Sequence, residues 1–263
     1  MVNRSRTKKG EGKAMGEGNF LKNTQIIILG VCIAVATIAS SVILSGGFLK
    51  VMKFTREQIS VTGSATKEIR SDYIVWRGEF SRREIDLKTA YTNLKSDLDK
   101  VKAYLNSKGV KDDELTICQV ITETVYKKNE KGNDTNDIQG YRLSQGVEIR
   151  SYDVEKIDTV TREVTELIDQ GIEFTSPAPE YFYTKLDELK VEMLAKATEN
   201  AKQRAESMVK ATGNKIGVMR SARMGVFQIT PATSTDVSDW GVNDTSSLDK
   251  KVMAVVTVSF AIE

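Results

Sequence analysis

The chain contains no histidine, and only two cysteines and three prolines, in 263 residues. Without an imidazole there is no Ser-His-Asp or Cys-His nucleophile pair, and the common histidine-bearing zinc sites are excluded too. Cys32 lies in a long apolar run and Cys118 in a predicted strand, so the two do not meet and no disulfide framework supports the fold. A basic excess is also missing from most of the chain. Residues 1–24 hold six basic residues, Arg4, Arg6, Lys8, Lys9, Lys13 and Lys22, against Glu11 and Glu17. Removing that tail from a whole-chain balance of 38 basic and 36 acidic residues leaves the remainder at net −2. Such a remainder cannot neutralise a phosphate backbone, which argues against nucleic-acid binding.

Motifs that carry catalysis or cofactors are absent as well. There is no Walker loop, no G-x-G-x-x-G after a strand and no G-x-S-x-G. The acidic stretches "KDDEL" and "NEKGNDTND" lack the alternating oxygens of a calcium loop and read as ordinary polar turns. No catalytic, cofactor-binding or metal-ligating residue is assigned, and no cofactor is expected.

What is present begins with one apolar run, "TQIIILGVCIAVATIASSVILSGG". Lys22 and Lys50 bracket 27 uncharged residues, more than the ~20 that cross a bilayer as helix. A cleavable signal peptide has a shorter apolar region, of roughly 7–15 residues. The run therefore predicts an uncleaved anchor over residues 25–49, with Ser45-Gly46-Gly47 leaving cleavage after Gly47 open. A basic tail on residues 1–24 places that end in the cytoplasm and residues 50–263 outside it. Gly30 with Ala34, and Ala36 with Ser40, have the small-residue spacing that lets two such helices approach.

Beyond the anchor, "QISVTGSATKEI" and "DYIVWRGEFSRRE" predict two strands. Leu87, Tyr91, Leu94, Leu98, Val101 and Leu105 predict the buried stripe of a helix capped by Asp86 and closed by Gly109. A β-branched strand, a polar turn and a strand with Tyr141, Leu143, Val147 and Ile149 on one face follow. An Asp153-capped helix then runs to Gly171. Pro177 and Pro179 confine the next strand to an edge, or break it. The longest domain helix, about residues 185–212, has the inner stripe Leu186, Leu189, Met193, Ala197, Ala201, Ala205 and Met208. The alanines at 197, 201 and 205 let it dock closely on a sheet. The order predicts an α+β fold, an antiparallel or mixed sheet with helices packed on one side. The polar segment 230–251 lacks the apolar area to order itself alone. Its one large apolar residue, Trp240, reads either as a partner contact or as a side chain tucked against the domain.

Four of these stretches also resemble one family in its order. "ISVTGSATKEIRSDYIVWRGEFS" is similar to the opening of SIMPL-domain proteins, with Gly63 and Asp72 on the family's Gly and Asp. "GYRLSQGVEIRSYDVEKIDTVTREVTELIDQGIEF", "AKATENAKQRAESMVKATGNKIGVM" and "VMAVVTVSFAIE" resemble its middle signature, its alanine-rich helix and its last strand. Ser64-Ala65 in place of a second glycine, and "SSLDKKV" in place of a Pro-Gly-Glu turn, depart from the pattern. The resemblance implies an exported protein without a recognised active site, in some members a ring-shaped oligomer and in others one linked to oxidative stress tolerance. On this reading Gly63 supplies a tight backbone position and Asp72 a turn hydrogen bond. The expected function is a membrane-anchored, homo-oligomeric assembly or interaction module of the cell envelope, with an unknown protein partner. The alternatives are a ligand-binding sensor or lid for a membrane partner, working through the Trp240 loop and the exposed face of the Tyr141 strand, and an enzyme acting without histidine.

Overall fold

The structure is a computed structural model that describes residues 17–263; the first sixteen residues of the basic tail lie outside the described residues. Two compact units emerge, one holding the N-terminal helix with the last residues of the chain, the other spanning Ser60–Phe260.

In the first unit, α1 runs Glu17–Arg56. Its stretch Ile26–Leu49 has mean hydropathy 2.7, and none of it is buried. By length and composition this stretch is long and apolar enough to cross a bilayer, which takes ~20 such residues as helix.

The second unit has two five-stranded sheets rather than one. The strands β1 (Gln58–Arg70) and β2 (Tyr73–Glu84) are consecutive, yet they belong to different sheets. Alternation along a strand fixes which side chains face inward but not which strand becomes the neighbour. The two-residue link Ser71-Asp72 is therefore a crossing between sheets and not a hairpin.

In the first sheet β10 (Asp249–Ile262) is central. One side pairs with β1, and the other with β7 (Ile216–Met224) and β8 (Gln228–Pro231), with the two-residue β9 (Val242–Asn243) parallel to β8. The pairs Thr62–Thr257 and Ser60–Ser259 show that β1 and β10 run antiparallel. Val252, Ala254, Val256 and Val258 are buried on the inner face, with Val61 and Gly63 of β1 beside them. The helix α4 (Leu186–Lys210) covers this face.

In the second sheet β2 pairs with β4 (Asp134–Ser151), which pairs with the edge strand β3 (Leu115–Lys128). On its other side β2 carries β5 (Glu173–Thr175) and β6 (Glu180–Phe182) in turn. Pro177 and Pro179 break what would be one strand into these two pieces. Ile74, Trp76, Phe80, Leu143, Val147 and Ile149 form the buried face beneath α2 (Leu87–Ser107) and α3 (Val154–Glu163), the latter continuing as a 3-10 turn to Gln170. Phe174 stacks at 6.0 Å from Trp76 and 6.4 Å from Phe80. Gly78 leaves them room, since a Cβ there would fall 2.5 Å from the Trp76 ring.

The caps follow the sequence. Asp86 accepts from Thr89 N at 2.8 Å, and Gly109, Gly171 and Gly213 end helical segments with φ of 85°, 77° and 79°. Two stripes differ from expectation. In α2 the inner positions are Ala90, Leu94, Asp97, Val101 and Leu105, with Leu87 and Tyr91 exposed. A carboxylate enters that face because Arg82 of β2 meets Asp97 through two bonds of 2.7 Å. At the end of α4 it is Val209, not Met208, that is buried.

Candidate interaction surface

Four of the residues singled out in the sequence meet in one place. A Cβ built on Gly63 would lie 2.7 Å from the Ala201 methyl, with Ala197 and Ala205 buried along the same stripe of α4. The side chains of α4 also occupy backbone groups of β1. Ser64 N donates to Asn200 Oδ1 at 3.2 Å, and Arg204 Nη1 donates to the Thr62 carbonyl at 3.0 Å. Groups on an edge strand that would otherwise recruit another chain are thereby used within the domain.

Asp72 stands at the crossing between the sheets. Its carboxylate accepts from Thr184 N at 2.7 Å and Thr184 Oγ1 at 2.8 Å, fastening the entry to α4. The same seam holds Lys250, which is 3% exposed. Its amine donates to the carbonyls of Tyr181 at 2.6 Å and Asp244 at 2.5 Å, and burial pushes its pKa down. Burial also opposes ionisation of Asp244, but bonds from Ser246 N and Oγ outweigh it and hold that carboxyl below its ordinary value. Tyr181 donates to Asp158 Oδ1 at 2.6 Å, and burial together with that acceptor pushes the phenol up to about 12. Within the seam the buried Lys250 cation is held by two main-chain carbonyls, with the Asp244 carboxylate near enough to favour its charge.

Trp240 lies elsewhere. The outer face of the first sheet carries Lys251, Met253 and Val255, and part of it is covered by the loop following β8. Gln228, 6% exposed, clamps that loop by donating to Ser238 O at 2.6 Å and accepting from Ser238 N at 3.3 Å. Lys251 Nζ donates to Ser234 O at 2.5 Å, and Asp244 N to Ile229 O at 2.9 Å. Polar tethers to the sheet, rather than apolar burial within the loop, order this segment. Gly241, with φ 84°, turns the chain, and Trp240 is 93% exposed. It is not tucked against the domain. Beside it is a groove of about 460 Å³ walled by Met224, Val226, Val237, Met253 and Val255.

On the outer face of the second sheet, Arg77 bridges Glu148 at 2.7 Å and Glu180 at 2.9 Å, and Arg150 meets Glu148 at 2.5 Å. Burial raises Glu148, but its two arginines prevail and lower it. This face of the Tyr141 strand is therefore internally neutralised. The acidic stretches serve turns: Glu114 accepts from Lys111 N and Ser151 Oγ, and Asn129 Oδ1 from the amides of Lys131 and Asn133. Among the described residues no group of three or more acidic or cysteine side chains is placed to hold a metal.

A family model, SIMPL, described as a protein of unknown function (DUF541), matches residues 59–260. The chain belongs to the SIMPL family. No curated protein matches it. The match runs from β1 to β10 and takes in both sheets of the SIMPL domain while leaving α1 outside. Of the two departures noted in the sequence, Ser64 uses its backbone amide on Asn200, and the "SSLDKKV" segment supplies Leu248 O to Ser71 N at 2.9 Å. Sequence reasoning misses the Lys250 seam and the Arg82–Asp97 pair, because each charged residue reads as an exposed one. The groove draws Met253 and Val255 from the outer face of β10.

Proposed function

We propose that this SIMPL protein is a membrane-anchored, non-enzymatic assembly module of the cell envelope. Residues 1–24 are its cytoplasmic tail, 25–49 its single-pass anchor, and 50–263 the domain outside, which forms homo-oligomers. The observation that carries the reading is Trp240, an indole 93% exposed on a loop that the protein itself tethers. A large aromatic displayed in water is an anchor for association, since such residues dominate interface energetics. The apolar α1 adds to assembly by confining copies to one plane, which raises their effective concentration. Gly63, Asp72, Ala197, Ala201 and Ala205 serve by holding the domain that displays the indole.

Two measurements test this. Light scattering on the full chain in detergent, corrected for bound detergent, should give a multiple of the 29.2 kDa chain mass. A monomer at every concentration would sink the assembly reading. Cys118, exposed on β3, reports the side of the membrane. A membrane-impermeant maleimide should label it in cells stripped of their outer layers, and labelling only after lysis would reverse the topology. A thermal-shift screen against envelope metabolites separates assembly from the sensor reading, which requires stabilisation by a small ligand.

A further inference from the structure

The exposed Trp240 and the groove beside it are complementary, and we infer that they are two halves of one self-contact: in a two-fold pair of domains, each copy's indole enters the groove of the other. The inference rests on the assembly reading above and adds where and how the copies meet.

The groove's walls are thioethers and branched aliphatics, which pack well against an aromatic face. Its polar groups are few. Both ends of the Gln228 amide are occupied by Ser238, so the acceptors that remain for an incoming indole N–H are the Asp239 carboxylate and the Ser238 hydroxyl. The same chain's Trp240 does not fill the groove, because the Gln228–Ser238 clamp and the turn at Gly241 hold it in solvent. Knob and hole adjoin, since Asp239 lines one and precedes the other. That adjacency is what an isologous interface needs, because one patch must serve both roles.

The charges of the patch fit the same geometry. Among the described residues Asp236 and Asp239 form no ion pair, and Lys251 meets only the Ser234 carbonyl. Unneutralised charges of both signs on one patch complement themselves across a two-fold axis. The area is modest. A buried Trp contributes about 150–250 Å², and with Val237 and Met224 the patch stays below the ~800 Å² per partner of a standard interface. The contact is therefore weak in free solution and depends on the confinement that the anchor provides.

The chain's two tryptophans make it readable. Trp76 is fully buried and Trp240 is 93% exposed, so collisional quenching by acrylamide reports Trp240. The test follows quenching and scattering mass of the full chain across protein concentrations at fixed detergent. Quenching of Trp240 should fall, and emission shift to the blue, in step with mass. Trp240→Ala and Asp239→Lys should each weaken association roughly tenfold or more with thermal midpoints unchanged. If both variants assemble like the wild type, the inference is overturned while the assembly reading stands. If the wild type is monomeric throughout, both fall. Protection of Trp240 in a particle that scatters as a monomer also overturns the inference, because the occupant is then not a second copy.

Discussion

Gly63 and Ala201 bring β1 and α4 into backbone contact: a Cβ on Gly63 would stand 2.4 Å from the Ala201 amide nitrogen and 2.2 Å from the Ala197 carbonyl oxygen. Neither atom belongs to a flexible side chain, so an added methyl must displace the helix. Gly63→Ala should destabilise the domain by about 1–3 kcal/mol or more, and Ala201→Leu by a similar amount. Ala195→Leu, on the exposed side of α4, should be within about 0.5 kcal/mol of the wild type. Urea denaturation monitored by circular dichroism checks all three, and an unchanged Gly63→Ala midpoint would refute the contact.

Asp72 gives a second prediction with a graded outcome. Asp72→Ala removes the acceptor for both Thr184 N and Thr184 Oγ1, at a cost of about 1–3 kcal/mol. Asp72→Asn keeps one oxygen and should lose roughly half as much. Hydrogen exchange at the first turn of α4 should quicken in the alanine variant before the rest of the domain responds. Uniform quickening would mean that the bond does not act locally.

How far the fold is legible in the sequence follows the physics of each element. Caps such as Asp86 and Asp153, stops such as Gly109 and Gly213, and the Pro177–Pro179 break are local, and local rules suffice to place them. The alanine stripe on α4 is legible because three small residues at helical spacing, on a helix otherwise rich in long polar side chains, mark a face that packs closely. Strand partnership is not legible, since it depends on contacts far apart in the chain, and β1 and β2 read equally well as one hairpin. The apolar periodicity of α2 misplaces its stripe because Asp97 reads as polar until Arg82 neutralises it. The exposure of Trp240 is decided by tethers from Gln228 and Lys251, which no local pattern announces.

The Arg82–Asp97 pair permits a cycle. Asp97 is 1% exposed and its carboxylate takes both bonds from a guanidinium that is mostly covered. Asp97→Leu alone leaves a cation facing the core and should cost about 3 kcal/mol, and Arg82→Met alone leaves a buried carboxylate without its partner. Arg82→Met with Asp97→Leu removes both charges and fills the space, so the double variant should be closer to wild type than either single one. If the two changes simply add in thermal denaturation, the pair carries no coupling.

The seam between the sheets predicts a stability change in alkali. The Tyr181 phenol ionises at about 12 in the folded domain, against 10.0 for the ordinary group. A folded value above the unfolded one means its contribution, about 3 kcal/mol, is complete below pH 10 and is lost between pH 10 and about 12. Lys250 works in the opposite sense. Its folded pKa is below 10.5, so the unfolded chain holds the proton more firmly and this group adds stability as pH rises from that lowered value to 10.5. Tyr181→Phe removes the first trend and leaves the second. The stability difference between wild type and Tyr181→Phe, measured by urea unfolding, should be constant from pH 7 to 9 and shrink steadily above 10. A difference still constant at pH 11 would show that the phenol is not held neutral by burial and Asp158.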